Sequence, residues 1–457
     1  MGLLKELDQT DVAKIGEELH RFAAHLYPIC RSITGDGIRR TLRSINTRIP
    51  LQMFEVPTGT PVFDWTVPKE WNIRDAYIAG SGGRRLVDFQ QCNLHVMNYS
   101  APVHATMLLS ELRPHLFTIL EHPDWIPYRT SYYQEDWGFC LSHSQLLALE
   151  DNEYEVYIDS TLKDGHLTYG ECYLPGRSAD EVLISCHACH PSLANDNLSG
   201  LAVATFLAQF LSGQDLRYSY RFLFIPGTIG AITWLAQNRE TAECIRHGLV
   251  LTCVGDRSGF HYKKSRRSNA EIDRAAAHVL AHCSESAEIL EFSPCGYDER
   301  QYCSPGFNLA VGCLMRSVWG RFPEYHTSAD NLDFIRPLQL AGSLRVCTAI
   351  VDVLENNRRY CSLNPYCEPQ LGRRNLYRST GDDTIGAETN ARLWVLNLSD
   401  GEHTLLDIAE RSGISFSAIN EAADLLCQNG LLSVARDDAG EGTIRAGASH
   451  QGNLQPA

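Results

Sequence analysis

Two stretches of this chain carry side chains that can hold a cation or move a proton. The first is Ile184-Ser185-Cys186-His187-Ala188-Cys189-His190-Pro191, continuing to Asn195-Asp196-Asn197-Leu198-Ser199-Gly200. The second is Glu324-Tyr325-His326-Thr327-Ser328-Ala329-Asp330-Asn331. Neutral imidazole and carboxylate oxygen together make the donor set of borderline divalent cations, zinc above all. His187 follows the apolar run 182–185, and Asp196 precedes an apolar helical pattern at 198–211. Asp256 follows the run 249–255, and His326 follows 309–315. Ligand sites of open α/β sheets lie at the carboxyl ends of strands, and a carboxylate is favoured at a helix N-terminus. His187, Asp196, Asp256 and His326 are therefore the candidate ligands of one metal site. A lone histidine here would read as structural; the four together carry the metal reading. His190 fits a ligand, an outer donor or a hydrogen-bonded wall residue. Cys186 and Cys189 read as buried, inert thiols.

The elements that must position these residues are legible as changes of texture. Residues 11–46 have helical apolar spacing, interrupted by the turn-rich string Tyr27-Pro28-Ile29-Cys30-Arg31-Ser32-Ile33-Thr34-Gly35-Asp36-Gly37. Residues 50–145 are rich in Pro, Gly, Trp and Tyr with short alternating runs, as in a small β-rich insertion. From about 150, apolar runs without alternation at 182–185, 220–225, 249–254 and 309–315 are separated by helical patterns. That alternation implies a mainly parallel α/β sheet buried on both faces. The expected organisation is an N-terminal helical part of the core (1–49), a β-rich lid (50–145), the α/β core (146–363), a linker (364–389), a winged helix (390–440) and a disordered tail (441–457). Gly413 and Gly430 fall where helix ends favour glycine.

Composition narrows the class. A formal net charge of −15 argues against a general polyanion-binding surface, and the expected partners include no nucleic acid. The first residues, Met1-Gly2-Leu3-Leu4-Lys5-Glu6, carry charge where a signal peptide needs an apolar core, so a cytoplasmic protein is expected. Glu6 breaks the N-myristoylation pattern. No uninterrupted apolar run approaches the roughly 20 residues that span a bilayer, so no membrane partner is expected. The 16 cysteines are expected as reduced thiols. Between 391 and 436 acids outnumber bases, and 416–429 has no Lys or Arg. Such a winged helix suits contact with protein, including a homo-oligomer, better than contact with DNA.

His187, the Asn195-Asp196-Asn197 string with Ser199-Gly200, Asp256, and Tyr325-His326-Thr327-Ser328 with Asp330 resemble the metal motifs of co-catalytic zinc aminopeptidases. The resemblance implies Asp196 as a bridging ligand, His187 and Asp256 on one zinc and His326 on the second. A narrower resemblance covers nearly the whole chain. It rests on Pro28-Ile29-Cys30-Arg31-Ser32-Ile33-Thr34-Gly35, Ile126-Pro127-Tyr128-Arg129-Thr130-Ser131-Tyr132-Tyr133, Trp137-Gly138-Phe139-Cys140, Ile225-Pro226-Gly227-Thr228-Ile229-Gly230 and Gly296-Tyr297-Asp298-Glu299-Arg300-Gln301. These strings are similar to a bacterial family of aminopeptidase-like proteins with a nested domain of unknown function and a C-terminal winged helix. It implies a zinc-exopeptidase-like α/β core.

The chain departs from the peptidase pattern at two places: the second residue after His187, an orienting Asp in the peptidases, is Cys189, and the other departure is larger. The peptidases carry two adjacent glutamates after the second core strand, a general base and a zinc ligand. Here the stretch is Phe224-Ile225-Pro226-Gly227-Thr228-Ile229-Gly230, without a carboxylate. One zinc ion is therefore expected rather than two, and Gly227 is expected in a tight turn that no side chain fits. Glu299 is the favoured replacement base, with Asp298, Glu171 and Glu324 as alternatives. Arg300, Asp298 and Tyr325 are candidate substrate contacts, Arg300 as a bidentate partner for a carboxylate. The expected activity is metal-dependent, aminopeptidase-like hydrolysis of an amide beside a free amino group, in a small peptide or aminoacyl conjugate. The alternatives are a catalytically silent binding protein and a DNA-binding regulator, the latter disfavoured by charge.

Overall fold

The computed structural model describes residues 3–8, 11–376 and 386–435. The expected tail at 441–457 lies outside them. Two units are distinguished, one built from most of the chain up to Leu354 and one from Glu355 onward together with Pro175–Asp180 and Asp215–Ser219.

The larger unit is organised on an eight-stranded sheet. Its strand order is Gln52–Pro57, His166–Leu174, Ser219–Ile225, Glu181–His187, Ile245–Leu251, Val311–Met315, Phe260–Lys263, Ala287–Leu290. Glu181–His187, Ile245–Leu251 and Val311–Met315 run parallel, so their carboxyl ends share one edge. Every residue of Glu181–His187, Ser219–Ile225 and Val311–Met315 is buried, which is why these strands lack the alternation of a one-sided sheet. Helix Gly200–Leu211 is buried at ten of its twelve positions. Helix Val12–Leu26 is capped by Asp11, whose Oδ1 accepts from the amides of Ala13 and Lys14 at 3.0 and 3.2 Å. Helix Pro337–Asn356 is long and apolar enough to cross a bilayer by length and composition, but 72% of its apolar window is buried in the protein. It is a core helix, and its polar interruptions are why no continuous apolar run stands out in the sequence.

The β-rich lobe has different edges from those expected. Its antiparallel sheet has the order Arg85–Asp88, Glu70–Ala79, Glu153–Lys163, Val103–Leu108. Glu153–Lys163 therefore belongs to the lobe although it lies beyond residue 145. Gln52–Pro57 belongs to the main sheet, paired antiparallel with His166–Leu174. Glu153–Lys163 and His166–Leu174 are consecutive strands serving different sheets, which a sequence reads as one hairpin.

The Arg31–Gly35 string ties the lobe to the core. Ser32 Oγ donates to Asn98 Oδ1 at 2.5 Å, Asn98 Nδ2 donates to the Arg31 carbonyl at 2.7 Å, and the Trp71 amide donates to Thr34 Oγ1 at 3.0 Å. Beside them Arg39 binds both oxygens of Glu70 at 2.9 and 2.6 Å and Glu55 at 2.6 Å. The Arg39 hydrogen bond is the main cause that lowers the Glu70 carboxyl from 4.5 to about 2. A depressed carboxyl contributes stability that is full above its unfolded value and is lost as pH falls through the folded one. Glu70→Gln is therefore expected to cost ~2–3 kcal/mol at neutral pH. The wild-type advantage should vanish between pH 4.5 and about 2. Denaturant titrations at pH 7 and pH 3 check this; an equal deficit at both would refute the linkage.

The smaller unit has helices Ala387–Leu398, Leu405–Ser412 and Phe416–Gln428 and a three-stranded sheet. Thr404 and Asp407 form a reciprocal capping box at the start of Leu405–Ser412, and Gly413 ends that helix at φ 68°. The central strand of the sheet is Arg359–Ser362, antiparallel to both Asp400–Thr404 and Leu432–Val434. This four-residue strand precedes the segment expected as a linker, so the unit begins earlier than 390. Of that expected linker, 377–385 lie outside the described residues.

Candidate metal centre

His187 is the last residue of strand Glu181–His187. Asp196 lies in the wide helical turn Ala194–Ser199 that feeds helix Gly200–Leu211. His326 lies in the loop after Val311–Met315 with φ 56°, a left-handed conformation uncommon for a residue with a side chain. It is held there by the Tyr128 amide, which donates to its carbonyl at 2.7 Å, and by the Tyr325 ring stacked on it at 4.0 Å.

Three imidazoles converge on the Asp196 carboxylate. His187 Nε2 is 2.7 Å from Oδ1, His326 Nε2 is 3.1 Å from Oδ2, and His190 Nδ1 is 3.7 Å from Oδ2. One ligand atom from each of His187, His190 and Asp196 lies within 4.8 Å of the others. His187 is fully buried, Asp196 and His190 nearly so, while the His326 side chain keeps 32% of its surface. Burial holds His190 well below its ordinary value, so it is a neutral donor of the kind metals bind. Burial alone would raise the Asp196 carboxyl, but the neighbouring His190 and His187 rings and the hydrogen bonds from His187 and His326 outweigh it and hold it well below its ordinary value. Burial pushes the Cys189 thiol up to about 12 and Cys186 well above its usual value, so both stay protonated.

The surroundings brace this cluster. Asp330 accepts from the amides of Asn195 and Asp196 at 2.5 and 3.0 Å. Burial, with the charges of Asp196 and Asp256, pushes it up to about 8 against those two hydrogen bonds. Arg31 donates from Nε to the His190 carbonyl at 2.8 Å and from Nη1 to the Leu26 carbonyl at 2.7 Å. The Tyr128 ring meets those of His190 and His326 edge-on at 5.1 and 5.0 Å. Tyr297 lies over His187 at 3.8 Å.

Several expected roles meet a different geometry. Asp256 is not among the converging atoms. Its Oδ2 accepts from Asn195 Nδ2 at 2.8 Å, and its Oδ1 accepts from the Ser258 amide at 2.8 Å and Ser317 Oγ at 2.9 Å. It braces the residue before Asp196. Glu299, read as the base, is fully buried in an ion pair with Lys263 Nζ at 2.8 Å and accepts from the Tyr297 amide. Asp298 is fully buried, with neither oxygen hydrogen-bonded among the described residues. Burial first, then the Glu299 charge, raises it well above the usual carboxylate range, which suits a neutral acid rather than a substrate clamp. Arg300 is exposed. Glu171 is taken by Arg221 and by Trp234 Nε1 at 2.9 Å. Glu324 is half-buried, and its carboxylate makes no hydrogen bond or ion pair among the described residues.

The place of the missing glutamates has a steric explanation. A Cβ at Gly227 would lie 2.2 Å from Cε1 of Tyr297 and 2.9 Å from its hydroxyl. The Tyr297 phenol, not a left-handed turn, is what excludes a side chain there. Tyr297, Tyr128 and Arg31 were contained in strings that stood out in the sequence, but long-range packing gives them their places. For His190 the sequence signal was its spacing of three from His187.

Among the donor atoms, His190 Nδ1 is buried without a hydrogen-bond partner, beside an ionised carboxylate and two further imidazoles. The donor atoms of His187, His190 and Asp196 lie close enough for one zinc-like cation, and His326 reaches the same carboxylate. The peptidase second site does not fit, because the required carboxylate is absent and Tyr297 occupies its space.

An α/β core of this topology with a His–Asp cluster at the strand ends, followed by a winged helix, defines an aminopeptidase-like protein. More narrowly, the chain belongs to the family described as Domain of unknown function (DUF4910), whose model matches residues 20–357, and residues 358–434 match winged helix-turn-helix. A relative from Clostridium acetobutylicum, named "Putative polysaccharide biosynthesis protein with aminopeptidase-like domain", is 51% identical over 92% of this chain and 97% of its own. A crystal structure titled "putative peptidase", also from Clostridium acetobutylicum, is 50% identical with a TM-score of 0.90, covering 94% of this chain and all of that one. A zinc aminopeptidase from Bacillus subtilis is 12% identical with a TM-score of 0.54, covering 74% of this chain and 94% of that one, a likeness of fold.

Proposed function

We propose that this protein is a single-metal amide hydrolase that cleaves a bond next to a free amino group in a small aminoacyl conjugate. The observation that carries the reading is the convergence of His187, His190 and His326 on Asp196, with His190 Nδ1 making no hydrogen bond among the described residues. Those four residues would hold the ion. A bound zinc ion supplies Lewis-acid polarisation of a carbonyl and a lowered pKa for water. Tyr325, stacked on the most exposed ligand, borders the approach to the cluster. Of the four carboxylates considered as base, Glu324 alone is half-buried and uncommitted, and it lies two residues from His326. It is the proposed proton acceptor. The name of the Clostridium acetobutylicum relative supports a conjugate used in making a polysaccharide.

Glu324→Gln is expected to keep metal content and cut turnover by roughly 10²–10⁴, the scale of general acid–base catalysis. Glu299→Gln should instead cost about 3–5 kcal/mol by leaving Lys263 buried and unpaired. Metal analysis, thermal melts and a screen of aminoacyl anilides with and without chelator measure all three quantities. A Glu324→Gln enzyme with undiminished turnover sinks the assignment. The Tyr297 ring in place of a base favours a second reading, a metal-binding protein without turnover; bound metal with no hydrolysis across the panel would select it.

A further inference from the structure

The β-rich lobe carries an aromatic surface that the metal centre does not use. Trp65 and Tyr133 keep 47% and 49% of their surface exposed, with ring centroids 5.5 Å apart and planes inclined at 55°. Beside them lies a cavity of about 400 Å³ lined by Thr66, Lys69, Tyr99, Tyr133, Gln134 and Glu135, among others. Its volume is in the range of small-ligand sites, roughly 300–1,000 Å³. The polar groups stand at the rim. Lys69 Nζ and Glu135 Oε1 pair at 2.5 Å, and the exposed Thr66 hydroxyl and Gln134 side-chain carboxamide make no hydrogen bond among the described residues.

An aromatic face set among unspent planar and hydroxyl groups complements a ring with one C–H face and a girdle of hydroxyls. A purely apolar side chain would leave the Gln134 and Lys69–Glu135 groups poorly matched. The cavity also backs onto the metal centre. Tyr99 meets Tyr132 edge-on at 5.8 Å, the Tyr132 and Tyr128 hydroxyls are 2.9 Å apart, and Tyr128 packs on His190 and His326.

We propose that this cavity is a pyranose-binding subsite, its aromatic wall formed by Tyr133, against which Trp65 packs from outside the lining, and its rim by Thr66, Gln134 and the Lys69–Glu135 pair. It deepens the amide-hydrolase reading, on which it rests for its place in the reaction, by naming the conjugate as an aminoacyl or acylamino sugar. Binding itself is measurable without turnover. The full-length protein is titrated with N-acetylglucosamine, methyl α-D-glucopyranoside and uridine by ligand-observed NMR, with and without chelator. At least one pyranoside is expected to saturate with a dissociation constant on the order of 1 mM, the scale that ligand efficiency allows. Chelator should leave it unchanged. Tyr133→Ala should weaken it roughly 10-fold, the worth of one aromatic contact, while Tyr133→Trp retains it. Unchanged melting temperatures confirm that these surface variants fold. Absence of saturation by either pyranoside, tighter binding of uridine, or an unaltered curve in Tyr133→Ala overturns the subsite. If sugar binding fails while aminoacyl anilides are still cleaved, only the subsite is wrong. If sugars bind and no amide is cleaved, the subsite stands and the hydrolase reading falls.

Discussion

Protein carrying Asp196→Ala is expected to fold, to lose zinc on dialysis, and to turn over nothing that the parent accepts. Asp196 is the one residue that all three imidazoles approach, at 2.7, 3.1 and 3.7 Å. Without it the cluster offers only imidazole nitrogens and no carboxylate. The loss in affinity should exceed the ~10–100-fold that follows removal of an outer-shell partner. His190→Ala decides which third ligand is used. A site built on three imidazoles loses zinc in His190→Ala nearly as completely as in Asp196→Ala. Asp256→Asn should keep one zinc per chain at an affinity lowered by only ~10–100-fold, because both Asp256 oxygens are engaged with Asn195, Ser258 and Ser317. Metal analysis of dialysed protein and competitive zinc titration read both quantities. Full zinc retention in His190→Ala would return the third position to Asp256.

The second large effect concerns the space that Tyr297 fills. Gly227→Glu restores one peptidase carboxylate on paper, yet its Cβ would lie 2.2 Å from the Tyr297 ring. Overpacking of this kind costs about 1–3 kcal/mol or more, so a less stable protein with no gain in zinc or turnover is expected. Tyr297→Ala alone removes a buried ring and should cost about 3–5 kcal/mol through the cavity it leaves. The double variant should be less destabilised than the two losses added, by about 0.5–3 kcal/mol, since each change creates the room or the filling that the other lacks. Denaturant titration of the four proteins gives the coupling. Strict additivity would mean that the two positions do not compete for the same space.

The central sheet was readable because Glu181–His187, Ser219–Ile225 and Val311–Met315 are buried on both faces and so spell unbroken apolar runs. The winged-helix core was readable from its helix-end glycines and three helical patterns. The edges of the lobe were not, because nothing local tells which sheet Glu153–Lys163 or Gln52–Pro57 will join; that is settled by pairing partners 45 or more residues away. The short strand Arg359–Ser362 has too few residues to show a period. In the candidate site, sequence position at strand ends singled out His187, Asp196 and His326, which do meet. It could not tell that Asp256 is spent on Asn195 or Glu299 on Lys263, since both depend on partners 36–61 residues distant. Nor could it reveal that a tyrosine stands where a glutamate was missing.

The contacts of Asp330 with Asn195 and Asp196, and of His326 with Asp196, also set a clock on synthesis. Asp196 leaves the ribosome 130 residues before His326 and 134 before Asp330. At translation rates of about 5–20 residues per second that interval is on the order of ten seconds. Throughout it, the growing chain displays Cys186, His187, Cys189 and His190 without the carboxylate brace that later fixes the neighbouring turn. The nascent chain thus carries His187, His190 and Asp196 before His326 and the Asp330 brace exist, and the order in which a metal and the last third of the chain arrive is part of how this centre is made.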